Sequence, residues 1–158
     1  MLTRRKFSRN AASGYIAVEM AFVLPIFILL LAVPFFFARV FWYYSVGEKA
    51  AHDAARYLSM ANQAEMRTYG GGFSEAKVPA VARWIAQQEL EEILPFTDGI
   101  NITLLCDSIV CGGAVPATVR ADIQIGLHDT ILSPLTSEYL GNTNMTLNSH
   151  VTMLYAGD

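Results

Sequence analysis

Two places in the chain combine residue types that could do chemistry. The first is Glu19, the one carboxylate inside a long hydrophobic run, "SGYIAVEMAFVLP". On insertion scales a carboxylate at a bilayer centre costs about 2.5–3.5 kcal/mol, less near the border, so an acid here asks for a partner charge and a function. The second is Cys106 and Cys111, a C-x4-C pair with no further cysteine and no nearby histidine. Zinc needs four ligands at defined spacings, so this pair points to a short-loop disulfide in an oxidising compartment rather than to metal. The alternative is two unpaired buried thiols.

No other constellation carries chemistry. His52, His128 and His150 are scattered without a metal spacing. There is no nucleophile elbow, P-loop or dinucleotide fingerprint. Glu89, Glu91 and Glu92 read as the solvated face of a helix, and Asn101-Ile102-Thr103 and Asn144-Met145-Thr146 as chance acceptor triplets within strands. These features predict a protein that is not an enzyme and takes no cofactor.

The elements that must position Glu19 follow from hydropathy. Met20 to Ala38 is uncharged over 19 residues, which as a helix spans roughly 28 Å, the thickness of a bilayer's hydrocarbon. One transmembrane helix is expected. A cleaved signal peptide is the competing reading, but its apolar region is shorter, and the only small-x-small site, Ser45-Val46-Gly47, follows bulky aromatics. Arg4, Arg5, Lys6 and Arg9 precede the run with no acid among the first fourteen residues, whereas Arg39, Glu48, Lys49, Asp53 and Arg56 mix signs after it. Positive flanks stay cytoplasmic, so the expected topology is a single pass with the amino terminus inside and residues from about 45 onward outside; the resemblance given below implies that the membrane is a bacterial cytoplasmic one and the outside the periplasm. Phe41, Trp42, Tyr43 and Tyr44 then fall at the outer interface with membrane lipid. Pro25 and Pro34 free the carbonyls of Ala21 and Leu30 and kink or merely decorate that helix.

The chain divides into a basic leader (1–14), a helix continuing out of the membrane (15 to about 66), a glycine-rich hinge "RTYGGGFSEAK" (67–77) and a small domain (78–158). Beyond the span, Ala50, Ala54, Tyr57, Leu58 and Ala61 recur at helical spacing. In the domain, Val78, Val81, Ala82, Ile85 and Ile93 predict one face of an amphipathic helix that Pro95 closes. The period then switches to two. Ile100, Ile102 and Leu104, then Val119 to Leu127, then Met145 to Tyr155 with Ser149 as a gap, predict three antiparallel strands with one apolar face. The fold class is α+β. Eighty residues is marginal for an independent core, so the domain is expected to lean on the outer half of the long helix and on the disulfide.

The border segment resembles the class III leader of type IV pilin-like proteins: a short basic leader, a glycine, a glutamate five residues on, and an apolar helix kept in the product. The resemblance implies cleavage between Gly14 and Tyr15 by a membrane-embedded prepilin peptidase. Losing the leader would take the formal charge from −3 to −7, since it carries four cations and no acid. The new Tyr15 amine would sit one turn from Glu19, about 6 Å along the axis, and would neutralise it within a subunit or between neighbours in a filament. "AVEMAFVLPIFILLL" (17–31) followed by "EKAAHDAARYLS" (48–59), with its Ala54-Ala55-Arg56 element, is similar to the TadE/TadF-like minor pilins, or pseudopilins, of the Flp (Tad, tight adherence) pilus system.

That resemblance implies as partners the prepilin peptidase, the Tad inner-membrane assembly platform, another TadE/TadF-like pseudopilin and the major Flp pilin. Major pilins of this kind are essentially helix alone, so a chain with a folded head reads as minor. A type II secretion pseudopilin and an unprocessed, single-pass periplasmic scaffold or binding protein are the rivals. Little basic surface remains after processing, which argues against nucleic acid.

Overall fold

A computed structural model describes residues 12–68, 76–112, 114–128 and 144–157. The basic leader up to residue 11 and Gly70, Gly71 and Gly72 of the expected hinge lie outside the described residues. The chain forms two compact units, Met1–Ala38 and Arg39–Asp158.

Helix α1 spans Ala12–Met60 and continues through Pro25 and Pro34. Its described residues in the first unit are largely exposed: Tyr15, Phe22, Leu30 and Phe35 are each more than two-thirds exposed. Its residues in the second unit differ. Tyr43, Gly47, Ala50, Ala51, Ala54, Ala55 and Leu58 are buried, a stripe at spacings of three and four that defines one helix face. Five of those seven are Gly or Ala, so the backbone of α1 can lie close to whatever it packs on.

What ends α1 is a tertiary contact rather than a sequence stop. The last carbonyls of a helix lack intrahelical donors. Here Ala156 N donates to Ser59 O at 2.8 Å and Tyr155 Oη to Ala61 O at 2.5 Å, so the carboxyl-terminal tail fills that role. The expectation of helix to residue 66 therefore meets a break. Asn62 caps a separate turn, α2 (Gln63–Met66), by accepting from Ala64 N at 2.8 Å, and Met66 is buried.

Helix α3 covers Lys77–Leu90, followed by a turn and a 3-10 segment, Leu94–Phe96. Its buried residues are Val78, Pro79, Ala82, Ala86 and Leu90, whereas Val81 and Ile85 are only half-buried. The inward face is thus rotated from the expected one. A stripe at strict i, i+4 spacing puts small Ala82 and Ala86 against the core and leaves the β-branched pair at its margin. Ile93 is fully buried but lies beyond the helix.

The sheet holds four strands rather than three: β1 (Thr97–Cys106), β2 (Ile109–Val110), β3 (Thr118–His128) and β4 (Asn144–Leu154), in the order β2-β1-β3-β4 and antiparallel throughout. The additional strand is two residues long, too short to show a period, and pairs with the end of β1 through Leu105↔Val110 and Cys106↔Ile109. Ile102 faces Ile123, and Ile123 faces Ser149, so one apolar sheet face runs across three strands. Leu104, Val119, Ala121, Ile123 and Ile125 are at most 1% exposed. The opposite face is polar, with Arg120 Nε donating to Asp122 Oδ1 at 2.7 Å. This is an α+β unit whose core includes the outer part of α1, as the small size of the domain led us to expect.

A candidate assembly segment and the head that follows it

The segment Gly14–Glu19 lies in the opening turns of α1, and every residue in it is exposed. Tyr15 and Glu19 are four apart, hence on consecutive turns of one face. Gly14 is helical, and a Cβ built on it would meet nothing within 4 Å. The fold therefore does not require glycine there; any demand for it comes from outside the chain. Among the described residues, none forms an ion pair with Glu19. Its carboxylate sits on a helix whose most apolar 18-residue window has a mean hydropathy of 2.7 and no buried residue. That helix is long and apolar enough to cross a membrane.

Burial begins at the boundary with the second unit. Arg39 donates from Nε to Tyr43 Oη at 2.7 Å, its guanidinium carbon lies 5.2 Å from the Tyr43 ring centroid, and Nη2 donates to Phe96 O at 3.4 Å. Tyr43 is 2% exposed. It therefore departs from the expected outer aromatic belt: it turns into the head, and only Phe41, Trp42 and Tyr44 remain exposed.

One turn further on, α1 packs tightly on the sheet. A Cβ on Gly47 would stand 2.9 Å from Ser149 Oγ and 3.0 Å from Ile125 Cδ1. Ser149 is the gap in the alternation of β4, and its position explains the gap, because a larger residue would collide with the helix. Its hydroxyl is buried without a hydrogen-bond partner. Gly47, read from sequence only as part of a discounted cleavage site, is a packing residue. The signal that could have found it is the pairing of the one glycine in the outer helix with the one small polar residue on an apolar strand face.

At the far end of the sheet, Cys106 and Cys111 form a disulfide with Cα atoms 4.8 Å apart, closing the β1–β2 hairpin. Asp107 and Ser108 turn the chain with φ of 52° and 71°. The Asp107 carboxylate accepts from Ala117 N at 3.0 Å and from Thr118 N at 2.8 Å, which holds its pKa below the usual carboxylate value. Glu89, expected on a solvated face, pairs with Lys49 of α1. That bond raises the Lys49 pKa and ties α3 to α1. His52 Nδ1 lies 3.7 Å from Asp53 Oδ1, and no group of three or more metal-ligating side chains occurs among the described residues.

Residues 14–56 match the family model described as TadE-like protein. The match covers a little over a quarter of the chain, from the glycine at the leader border to the Ala-Ala-Arg element. Neither the curated proteins nor the solved structures yield a match. The matched segment holds both the exposed apolar helix with Glu19 and the small-residue stripe, Gly47 to Ala55, on which the head packs. In that segment, residues 14–56, the chain is TadE-like, consistent with a protein of the Tad pilus system.

Proposed function

We propose that this chain is a minor pilin, or pseudopilin, of Flp (Tad) pilus biogenesis with a structural rather than catalytic role. It is made as a precursor and cut by prepilin peptidase between Gly14 and Tyr15. It then stands in the cytoplasmic membrane with its α+β head outside, available to the assembly platform, a second TadE/TadF-like subunit and the major pilin.

The observation that carries this reading is Glu19. An exposed acid at the head of an uncharged stretch of helix, with no described residue to pair with it, is costly in lipid unless a cation arrives from elsewhere. Cleavage after Gly14 would create such a cation at Tyr15, one turn away on the same face. In an assembling filament the amine of a neighbouring subunit could serve instead, so the charge pair would set axial register between chains. The 28 Å or so of exposed apolar helix would then have two successive environments, lipid before assembly and other helices after it.

The test is a strain lacking the native copy, complemented with the wild-type chain or with Glu19→Ala. The variant should reach the membrane in normal amount, because removing a charge eases insertion, yet support few or no fibres by electron microscopy. Wild-type fibre numbers from Glu19→Ala would remove the register role.

A further inference from the structure

Arg39 is the first residue of the second unit and directly follows the uncharged run Met20–Ala38. Its bond to Phe96 O fixes the Leu94–Phe96 turn, 57 residues further along the chain, at the level of Arg39 on α1. Leu94 is 55% exposed and Phe96 54%. Leu94 borders a shallow groove with Leu90, Ile100 and Ile102, yet about half of each residue stays open to solvent, although Ile93 just before them is fully buried.

Strand β4 brings a third side chain to the same end. It is registered against α1 at two heights, by Ser149 beside Gly47 and by Ala156 N on Ser59 O. Met145 precedes Ser149 by four residues, about 13 Å of strand, which corresponds to about nine residues of helix. Counted back from Gly47, that is within about a residue of Arg39. Met145 is exposed, and so are Phe41, Trp42 and Tyr44 on α1. The disulfide hairpin lies at the other end of the sheet.

Single exposed apolar residues need no explanation. Three segments far apart in sequence, converging at one end of the head beside the cation that closes a membrane-length run, do. We infer that this end of the head is a second membrane anchor: Leu94 and Phe96, with Met145, enter the headgroup–acyl boundary of the same bilayer that α1 crosses. The inference rests on the reading of Met20–Ala38 as a membrane span. Aromatic rings favour that boundary, and a guanidinium with an aliphatic stem can keep its charge among the headgroups. The consequence is mechanical. Leaving lipid for a filament requires releasing this loop as well as the helix.

The test places single tryptophans in the full chain, reconstituted in phosphatidylcholine vesicles containing lipids brominated near the headgroup end of the acyl chain. Phe96→Trp, made with Trp42→Phe and Trp84→Phe, should lose at least about half its emission, as befits a side chain seated at the boundary. Leu94→Trp in the same background should behave alike. Val110→Trp, at the hairpin end, should lose none. If both the Phe96→Trp and Leu94→Trp chains match the Val110→Trp chain while native Trp42, isolated by Trp84→Phe, is quenched, the helix spans and the anchor does not exist. If Trp42 is not quenched either, the membrane span and the anchor fall together.

Discussion

Gly47→Ala puts a methyl group where α1 packs tightly on the sheet, and its effect can be worked out from the contacts. The new Cβ would lie 2.9 Å from Ser149 Oγ and 3.0 Å from Ile125 Cδ1, distances at which the neighbours must move. Both neighbours are at most 1% exposed, so they have little room, and overpacking of this kind costs about 1–3 kcal/mol. Against that, alanine is about 1 kcal/mol better than glycine in a helix interior. The expected net is a loss of about 1 kcal/mol, or about 4 °C in Tm for a unit of this size.

Ser149→Ala changes the balance. It removes the nearer obstacle and leaves the Ser149 Cβ at an ordinary 3.5 Å. It also deletes a buried hydroxyl that has no partner, so by itself it should be neutral or stabilising. In that background Gly47→Ala should cost nothing or stabilise by up to about 1 kcal/mol, since the space vacated by the hydroxyl lets Ile125 make the small shift its contact needs, a coupling of about 1–2 kcal/mol. Thermal unfolding of the full chain in detergent, followed by near-ultraviolet circular dichroism, reads the head without the signal of the apolar helix. Equal losses in the two backgrounds, or a raised Tm for Gly47→Ala in the wild-type chain, would refute the packing argument.

Other perturbations test separate parts of the head. Replacing both cysteines, Cys106→Ala with Cys111→Ala, should lower head stability by about 2 kcal/mol, the entropic limit for so short a loop, and amide exchange should speed up at Cys111 N, which donates to Leu104 O. Asp107 has its pKa lowered first by the Ala117 backbone N–H and then by Thr118, so its contribution is complete above the ordinary value of 3.8 and is lost as pH falls through the lower folded value. The protection of Ala117 and Thr118 amides should therefore weaken below that range in the wild-type chain and stay flat in Asp107→Asn; matching pH profiles would argue against the carboxylate as their anchor.

Sequence patterning gave away those elements whose geometry is set locally. The 19-residue uncharged run and the alternation of Ile100 to Leu104, Val119 to Leu127 and Met145 to Tyr155 reflect single periods, and of these residues Tyr155 alone falls outside its strand, since β4 ends at Leu154. Even the break at Ser149 was visible, although its cause, a glycine 102 residues earlier, was not. Features decided by long-range contacts were hidden. "SMANQAEM" is composed largely of good helix formers, yet α1 stops at Met60, where the carboxyl-terminal tail takes its carbonyls. The inward face of α3 keeps Val78 and Ala82 of the expected stripe but turns Ala86 and Leu90 inward in place of Val81 and Ile85, because the surface it meets admits alanines. Strand β2 is too short to have a pattern, and Tyr43 reads as one more interfacial aromatic until Arg39 is seen to draw it inward. Glu19 stands out in the sequence because a lone acid in an apolar run is conspicuous by composition alone; the role given to it is the proposal above.

The central claim is that the finished molecule starts at Tyr15, giving Glu19 a cation one turn away. Intact mass and amino-terminal peptide analysis of the chain extracted from membranes test it most directly. The account predicts a chain beginning at Tyr15 in cells with prepilin peptidase, and a full-length chain when Gly14→Val obstructs the cut without disturbing the fold, since a side chain at residue 14 meets nothing within the protein. A wild-type product that retains Met1 in the presence of the peptidase would contradict it.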